Sequence, residues 1–264
     1  MKTIIWLLVI ILLGQFVHAE SNNKNDIIHL TTDNVVTLRG EINGITASNF
    51  INEIVEYKSG EELYIYIISG GGSVISGMEI VRTINDLTKN GVNVKCIANT
   101  AMSMAFVIFQ TCPERYVTES SVLMQHQMSL GIKGPIRQVT TYLDFVTAIE
   151  NELEEQQSRR IGIPENVFRE KVAHDWWLFG NDIVKKGAAD KMVHVICDFI
   201  PELKDEVVAT FFGDVTLTFS TCPLARDPVK ISFDNSKVNA TQTQIKNHIS
   251  SMFDINTMAS KQSF

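Results

Sequence analysis

Leu63-Tyr64-Ile65-Tyr66-Ile67-Ile68-Ser69-Gly70-Gly71-Gly72-Ser73 is the stretch on which the architecture turns. An apolar, β-prone run without polar alternation describes a strand covered on both faces. The glycines then make a turn into a helix from about Val74 to Asn90, with Met78, Val81, Ile84 and Leu87 on one side and Gly91 at its end. Val92–Ala98 is the next β-rich run. Asn99-Thr100-Ala101-Met102-Ser103-Met104-Ala105 leads from it into the apolar segment Phe106–Phe109. Strand, glycine turn, helix, strand, turn, helix is an α/β order.

Upstream, Asn34–Gly40 reads as a strand, with Glu41-Ile42 continuing towards a turn, and Thr46–Tyr57 has apolar residues at 47, 50, 51, 54 and 55, a helical spacing. Downstream, Tyr116-Val117 and Val122–Met124 are expected as short strands flanking a turn at Thr118–Ser121. A loop with Gly131, Gly134 and Pro135 precedes a long helix, Ile136–Ile161. Its apolar face is expected at 139, 142, 143, 146, 149 and 153, with Glu150, Glu152, Glu154 and Glu155 on or beside the polar face. Gly162 and Pro164 stop it, and 164–172 restarts as a short helix. A helix over 180–186 ends at Gly187, and 188–196 returns to a strand. Residues 198–264 read as an appendage with a hairpin across Gly213-Asp214 and an amphipathic helix over 242–253.

The first residues differ in kind. Met1-Lys2, the unbroken apolar run Ile4–Leu13 and Val17-His18-Ala19 before Glu20 form the signal-peptide pattern. The expected organisation is a leader over 1–19, a polar linker over 20–33, a main domain over 34–197 and an extension over 198–264. An uncleaved anchor is the rival, although the run is short of the ~20 residues of a membrane span. Export follows from the leader; a cytoplasmic chain follows if that segment is something else. The four cysteines, 96, 112, 197 and 222, contain no Cys-x-x-Cys pair, which disfavours a zinc or redox motif. In an exported chain they permit two disulfides, of which Cys197–Cys222 is favoured because it would tie the extension to the core; free buried thiols are the alternative.

A net charge of -7 without a dense basic run disfavours nucleic acid as a partner. Histidines 29, 126, 174, 194 and 248 show no metal-ligand spacing. Three features are left for chemistry. A serine where a strand gives way to a helix faces free backbone N–H groups that favour an oxyanion. His126 sits where a strand ends and a loop begins, and Asp175 stands before two tryptophans. Taken singly, each has a structural reading: packing for Ser103, a hydrogen-bonded histidine, a capping aspartate. Together they are the parts of acyl transfer, in the order glycine turn, Ser, His, Asp.

In that order the motifs resemble the proteolytic subunit of the caseinolytic (Clp) protease family. Ser69–Met78 is similar to its Ser-Pro-Gly-Gly-x-Val-x-x-Gly segment, Ala101–Ala105 to its Ala-Ala-Ser-Met-Gly nucleophile turn, and Met124–Gln127 to its Met-Ile-His-Gln. His174–Leu178 resembles the Arg-Asp-x-Phe-Leu/Met segment, and Val184–Asp190 the later Ala-x-x-Tyr-Gly-Leu-Ile/Val-Asp. The resemblance spans about residues 35–197. It implies the ClpP/crotonase-like fold, a repeated β-β-α superhelix, here with 136–161 as the handle helix that packs two rings together. It also implies a serine endopeptidase with Ser103 as nucleophile, His126 as base and Asp175 as its orienting partner, and with the backbone N–H groups of Gly72 and Met104 as oxyanion hole. Implied partners are peptide or unfolded protein and a homo-oligomeric ring. No cofactor is implied, ATP entering only through an AAA+ unfoldase, and that only in the cytoplasm. Gly70 stands where the family has proline, Ala105 and Asn99 where it has glycine, and Met128 where proline follows His-Gln. Those changes motivate the alternative of a catalytically inactive ring or adaptor that binds peptides or subunits. A thioester-processing hydratase on the same fold has no need of the Ser-His-Asp trio.

Overall fold

Apolar runs need cover, and the way each is covered builds the layers. The computed structural model describes residues 27–210, 212–233 and 241–253. Its first half runs β1 (Ile27–Leu30), β2 (Val35–Ile42), α1 (Gly44–Ile54), β3 (Glu62–Gly72), α2 (Val74–Lys89), β4 (Asn93–Met102), α3 (Met104–Thr111) and β5 (Glu114–Gln125). There follow α4 (Ile136–Ile161), α5 (Glu165–Val172), β6 (Trp176–Phe179), α6 (Asn181–Lys185), β7 (Lys191–Met192) and β8 (His194–Cys197). The extension holds β9 (Leu203–Thr210), β10 (Gly213–Ser220), β11 (Lys230–Ser232) and α7 (Gln242–Phe253).

The main sheet has the order β2-β3-β4-β5-β6, parallel from β2 to β5 and antiparallel at β6, with β7 added parallel to β5. β3 is buried at every position from Leu63 to Ser69 because each face meets a different core. Leu63, Ile65 and Ile67 join the core formed with α1, α2 and α3. Tyr64, Tyr66 and Ile68 face Ile28, Leu30 and Val193, carried by β1 and by the residue between β7 and β8. Asn43 caps α1 through a capping box, and Ser73 caps α2 by accepting from Ser76 N–H.

Four expectations change. Residues 27–30, within the linker expected over 20–33, form β1, paired in parallel with β8, because Ile28 and Leu30 fill the second core. The rest of that linker up to residue 26, with the leader at 1–19, lies outside the described residues. The expected strand–turn–strand over 116–124 is one strand, β5. Its register against β4 jumps from Ala98↔Val117 to Thr100↔Val122, leaving Thr118–Ser121 as a bulge. Hydroxyls supply the interrupted ladder: Ser121 Oγ donates to Ala98 O at 2.6 Å and accepts from Thr118 N–H at 2.7 Å. The apolar face expected along α4 is covered only in its second half. Leu153 and Ile161 are buried, whereas Ile136, Tyr142, Leu143 and Phe145 are exposed. The single strand expected over 188–196 is two short ones, β7 and β8.

The extension is an antiparallel sheet of order β11-β10-β9 with its own small core, Val215, Leu217, Phe219, Ile245 and Ile249. Cys197 at the end of β8 is bonded to Cys222 just after β10, and Cys96 of β4 to Cys112 just after α3. Beyond the first disulfide, Arg39 of β2 lies 4.5 Å over the Phe219 ring and donates to the Arg226 carbonyl, and Lys204 pairs with Glu53 at 2.9 Å.

Cys197 and Cys222 are 25 residues apart, and closing such a loop removes about 3 kcal/mol of chain entropy from the unfolded extension. Replacing both by serine is expected to raise amide exchange in β9–β11 by about tenfold or more while leaving β3 and β4 unchanged. Hydrogen-exchange mass spectrometry reads both, and unchanged protection in β9–β11 would show that packing alone holds the extension.

Candidate active site

Three parallel strands end on one rim, and the chemistry-bearing residues sit at those ends. Ser103 is the single residue between β4 and α3, at φ 52 and ψ -123, a conformation that costs a non-glycine residue about 1–3 kcal/mol. Its N–H donates to Met124 O of β5 at 2.9 Å, and its carbonyl accepts from Phe106 and Val107, so both sides of the turn are held. Gly70–Gly72 is no turn: β3 runs through it, with Glu41↔Gly71 and Ile42↔Gly72 paired to β2. Gly71, at φ +95, approaches so closely that a Cβ there would lie 2.6 Å from Met102 O and 2.7 Å from Ser103 Cβ. A Cβ on Gly72 would collide with the Ile42 carbonyl. The glycines are required by proximity to neighbouring backbone as much as by their own dihedrals.

His126 follows the last residue of β5. The register Met102↔Met124 sets the two chain exits side by side, and His126 Nε2 lies 2.8 Å from Ser103 Oγ. Burial pushes the imidazole below its ordinary pKa of 6.5, opposed in order by Asp175, a hydrogen bond with the Gln127 backbone, and Glu150. A neutral ring at neutral pH can accept the hydroxyl proton. Asp175 precedes β6, whose register Gln125↔Trp176 brings it alongside His126. It is exposed, and its influence on the ring is that of a nearby charge. Among the described residues the non-glycine residues at positive φ are Ser103 and Asp175. Met104 is the first residue of α3, where backbone N–H groups have no acceptor within the helix. Gly72, Ser103, Met104 and His126 all line one cavity. The structure thus brings together Ser103, His126, Gly72 and Met104, and places Asp175 within electrostatic range of the ring.

Gln125, Glu150, Glu154 and Gln157 also line that cavity, and the sequence assigns none of them a role there. Gln125 Nε2 donates to Gln157 Oε1 at 2.7 Å, and Glu150 accepts from Met128 N–H at 2.8 Å. Glu154, expected on or beside the polar face of α4, is buried, which raises its pKa; Arg169 opposes the shift from 2.9 Å. Their signal is the spacing 150, 153, 154, 157, 161, which shares one side of the helix with Leu153 and Ile161. Among the described residues no group of three or more His, Cys, Asp or Glu side chains is placed to hold a metal ion.

A methyl group at Gly71 would press directly on Ser103. Gly71→Ala is therefore expected to displace Oγ, and to lower by about 100-fold any turnover in which that hydroxyl takes part. Measuring kcat alongside the melting temperature separates this displacement from general unfolding. A sequence model described as Clp protease matches residues 18–195, about two thirds of the chain, and the chain accordingly belongs to the Clp protease family, a family of peptidases.

Proposed function

We propose that the chain is a serine endopeptidase whose nucleophile is Ser103. The observation that carries this reading is the strained backbone of Ser103 at the start of α3, with Oγ 2.8 Å from the imidazole of His126. The strain that the surrounding packing sustains falls on a hydroxyl already hydrogen-bonded to a base, the arrangement of an activated nucleophile.

In the proposed reaction Ser103 Oγ attacks the peptide carbonyl carbon while His126 Nε2 takes the hydroxyl proton. The oxygen, now anionic, is received by the N–H groups of Gly72 and Met104. The C–N bond breaks as the imidazolium returns its proton to the departing amine. Water then attacks the acyl-serine, giving its proton to His126, and the second tetrahedral intermediate collapses with release of the acid as the imidazolium returns that proton to Ser103 Oγ. Asp175 favours the imidazolium by its charge.

Assembly and compartment belong to the same reading. Clp protease family members generally form rings with unfoldase partners. The exposed apolar residues on the first half of α4 support a homo-oligomer in which that helix, the handle of the family's fold, is covered by another copy. Disulfides at Cys96–Cys112 and Cys197–Cys222 fit an oxidising compartment, in keeping with export after a leader over 1–19. There the enzyme would act on peptides or already unfolded chains without an ATP-driven partner.

A fluorophosphonate probe is expected to label Ser103, and Ser103→Ala to abolish labelling and lower peptide hydrolysis by roughly four orders of magnitude or more. A folded, assembled protein that resists the probe would leave the inactive peptide-binding ring in its place. The acid limb of kcat/KM is expected below pH 6.5, since activity is lost as the pH falls through the lowered pKa of His126. A limb above that value would assign the base elsewhere.

A further inference from the structure

The cavity beside Ser103 encloses about 90 Å3 and is divided by chemistry. Val107, Leu153, Phe168 and Val172 supply apolar walls. Glu150 and Glu154 stand one helical turn apart on α4, so both carboxylates border the same space. Neither lysine nor arginine occurs among the described residues that line it. Arg169 reaches Glu154, yet the same guanidinium also binds Glu165 at 2.7 Å and Asn151 Oδ1 at 2.6 Å. One positive charge is therefore divided between two carboxylates. Glu150 uses one oxygen to accept Met128 N–H and forms no ion pair among the described residues. Its charge bears on both His126 and Glu154, and all three line the cavity. Among the described residues that line the cavity, the carboxylates Glu150 and Glu154 face no lysine or arginine of the lining.

A side chain that suits this cavity has an apolar stem and a cationic head, the make-up of lysine and arginine. The cavity is also bordered by Val74 and Val107, which follow Gly72 and Met104 by two and three residues. Under the proposed reaction the carbonyl of the residue on the acyl side would sit between those two amides, next to this border, so the cavity is assigned to the side chain of that residue. Resting on the reading of Ser103 and His126 as the peptidase centre, we propose that Glu150 is a specificity-determining residue that selects peptides with lysine or arginine on the acyl side of the bond cleaved.

The test uses fluorogenic peptides identical except at that residue: lysine, arginine, leucine or glutamate. The full-length protein is expected to favour lysine and arginine over leucine by about tenfold or more in kcat/KM, with glutamate poorest. Glu150→Gln keeps an oxygen for Met128 N–H and is expected to reduce the lysine-to-leucine ratio by about tenfold. Leucine equal to or better than lysine, or a ratio untouched in a folded Glu150→Gln protein, would overturn the assignment. A second measurement does not depend on turnover. Calorimetry with the Ser103→Ala protein and peptides ending in lysine or leucine is expected to show the lysine peptide binding more tightly by a similar factor. Equal binding would overturn the assignment even for an active enzyme. Preference for lysine in a protein whose Ser103 resists fluorophosphonate would support the cavity's selectivity while removing the peptidase reading.

Discussion

The closeness of Gly71 to Ser103 is the constraint from which the site follows. The end of β3 passes so near the turn after β4 that no side chain fits between them, and parallel pairing carries the same alignment across to β5. A serine forced to φ 52 costs about 1–3 kcal/mol. That cost is small beside the burial of Met104, Phe106, Ile108 and Phe109 on α3, each worth about 1.5–3 kcal/mol. The helix stays seated, and the only residue left to absorb the change of direction is Ser103. Asp175 lies in the comparable position before β6, again with positive φ. Strain is thus concentrated at two residues, and adjacent strands place both beside His126.

Much of this order is legible along the chain, and the exceptions share a cause. The run Leu63–Ile68 announces a strand buried on both faces, but its own pattern cannot show that Leu63, Ile65 and Ile67 serve one core and Tyr64, Tyr66 and Ile68 another. Thr118-Glu119-Ser120-Ser121 reads as a turn because its hydroxyls are polar, and it becomes a bulge because Ser121 finds a carbonyl on β4. Along α4 the apolar period is uniform, whereas the body it packs against is not, so one half is covered and the other exposed. The order of short motifs is what draws Ser103, His126 and Asp175 out of the sequence. Glu154 was missed because charge on a helix is ordinarily solvated, and its partner Arg169 belongs to the next helix. Local periodicity carries the elements; long-range polar partners stay hidden in it.

The two disulfides divide the labour between stability and position. Cys197–Cys222 fastens a sheet whose own core is small, and the Arg39–Phe219 and Lys204–Glu53 contacts set its lean against β2 and α1. Cys96–Cys112 closes a loop of chain that contains Ser103, joining the body of β4 to the far end of α3. The strand entering the turn and the helix leaving it are thereby fixed to one another independently of the packing around them. A turn that stores strain is held best when both of its arms are tied.

The electrostatics of His126 link binding to chemistry. Burial lowers its pKa and the carboxylates of Asp175 and Glu150 raise it, with burial prevailing. Under the proposed selectivity, a cationic side chain beside Glu150 would offset one of the two raising charges. The same peptide would exclude water from the cavity, which strengthens the effect of burial. Both changes favour the neutral ring, the form that accepts the proton from Ser103. Asp175, exposed and before β6, keeps its influence on the imidazolium formed next. A substrate that seats correctly would therefore act on the base in the direction the first step needs, and Asp175 would support the charge that this step creates.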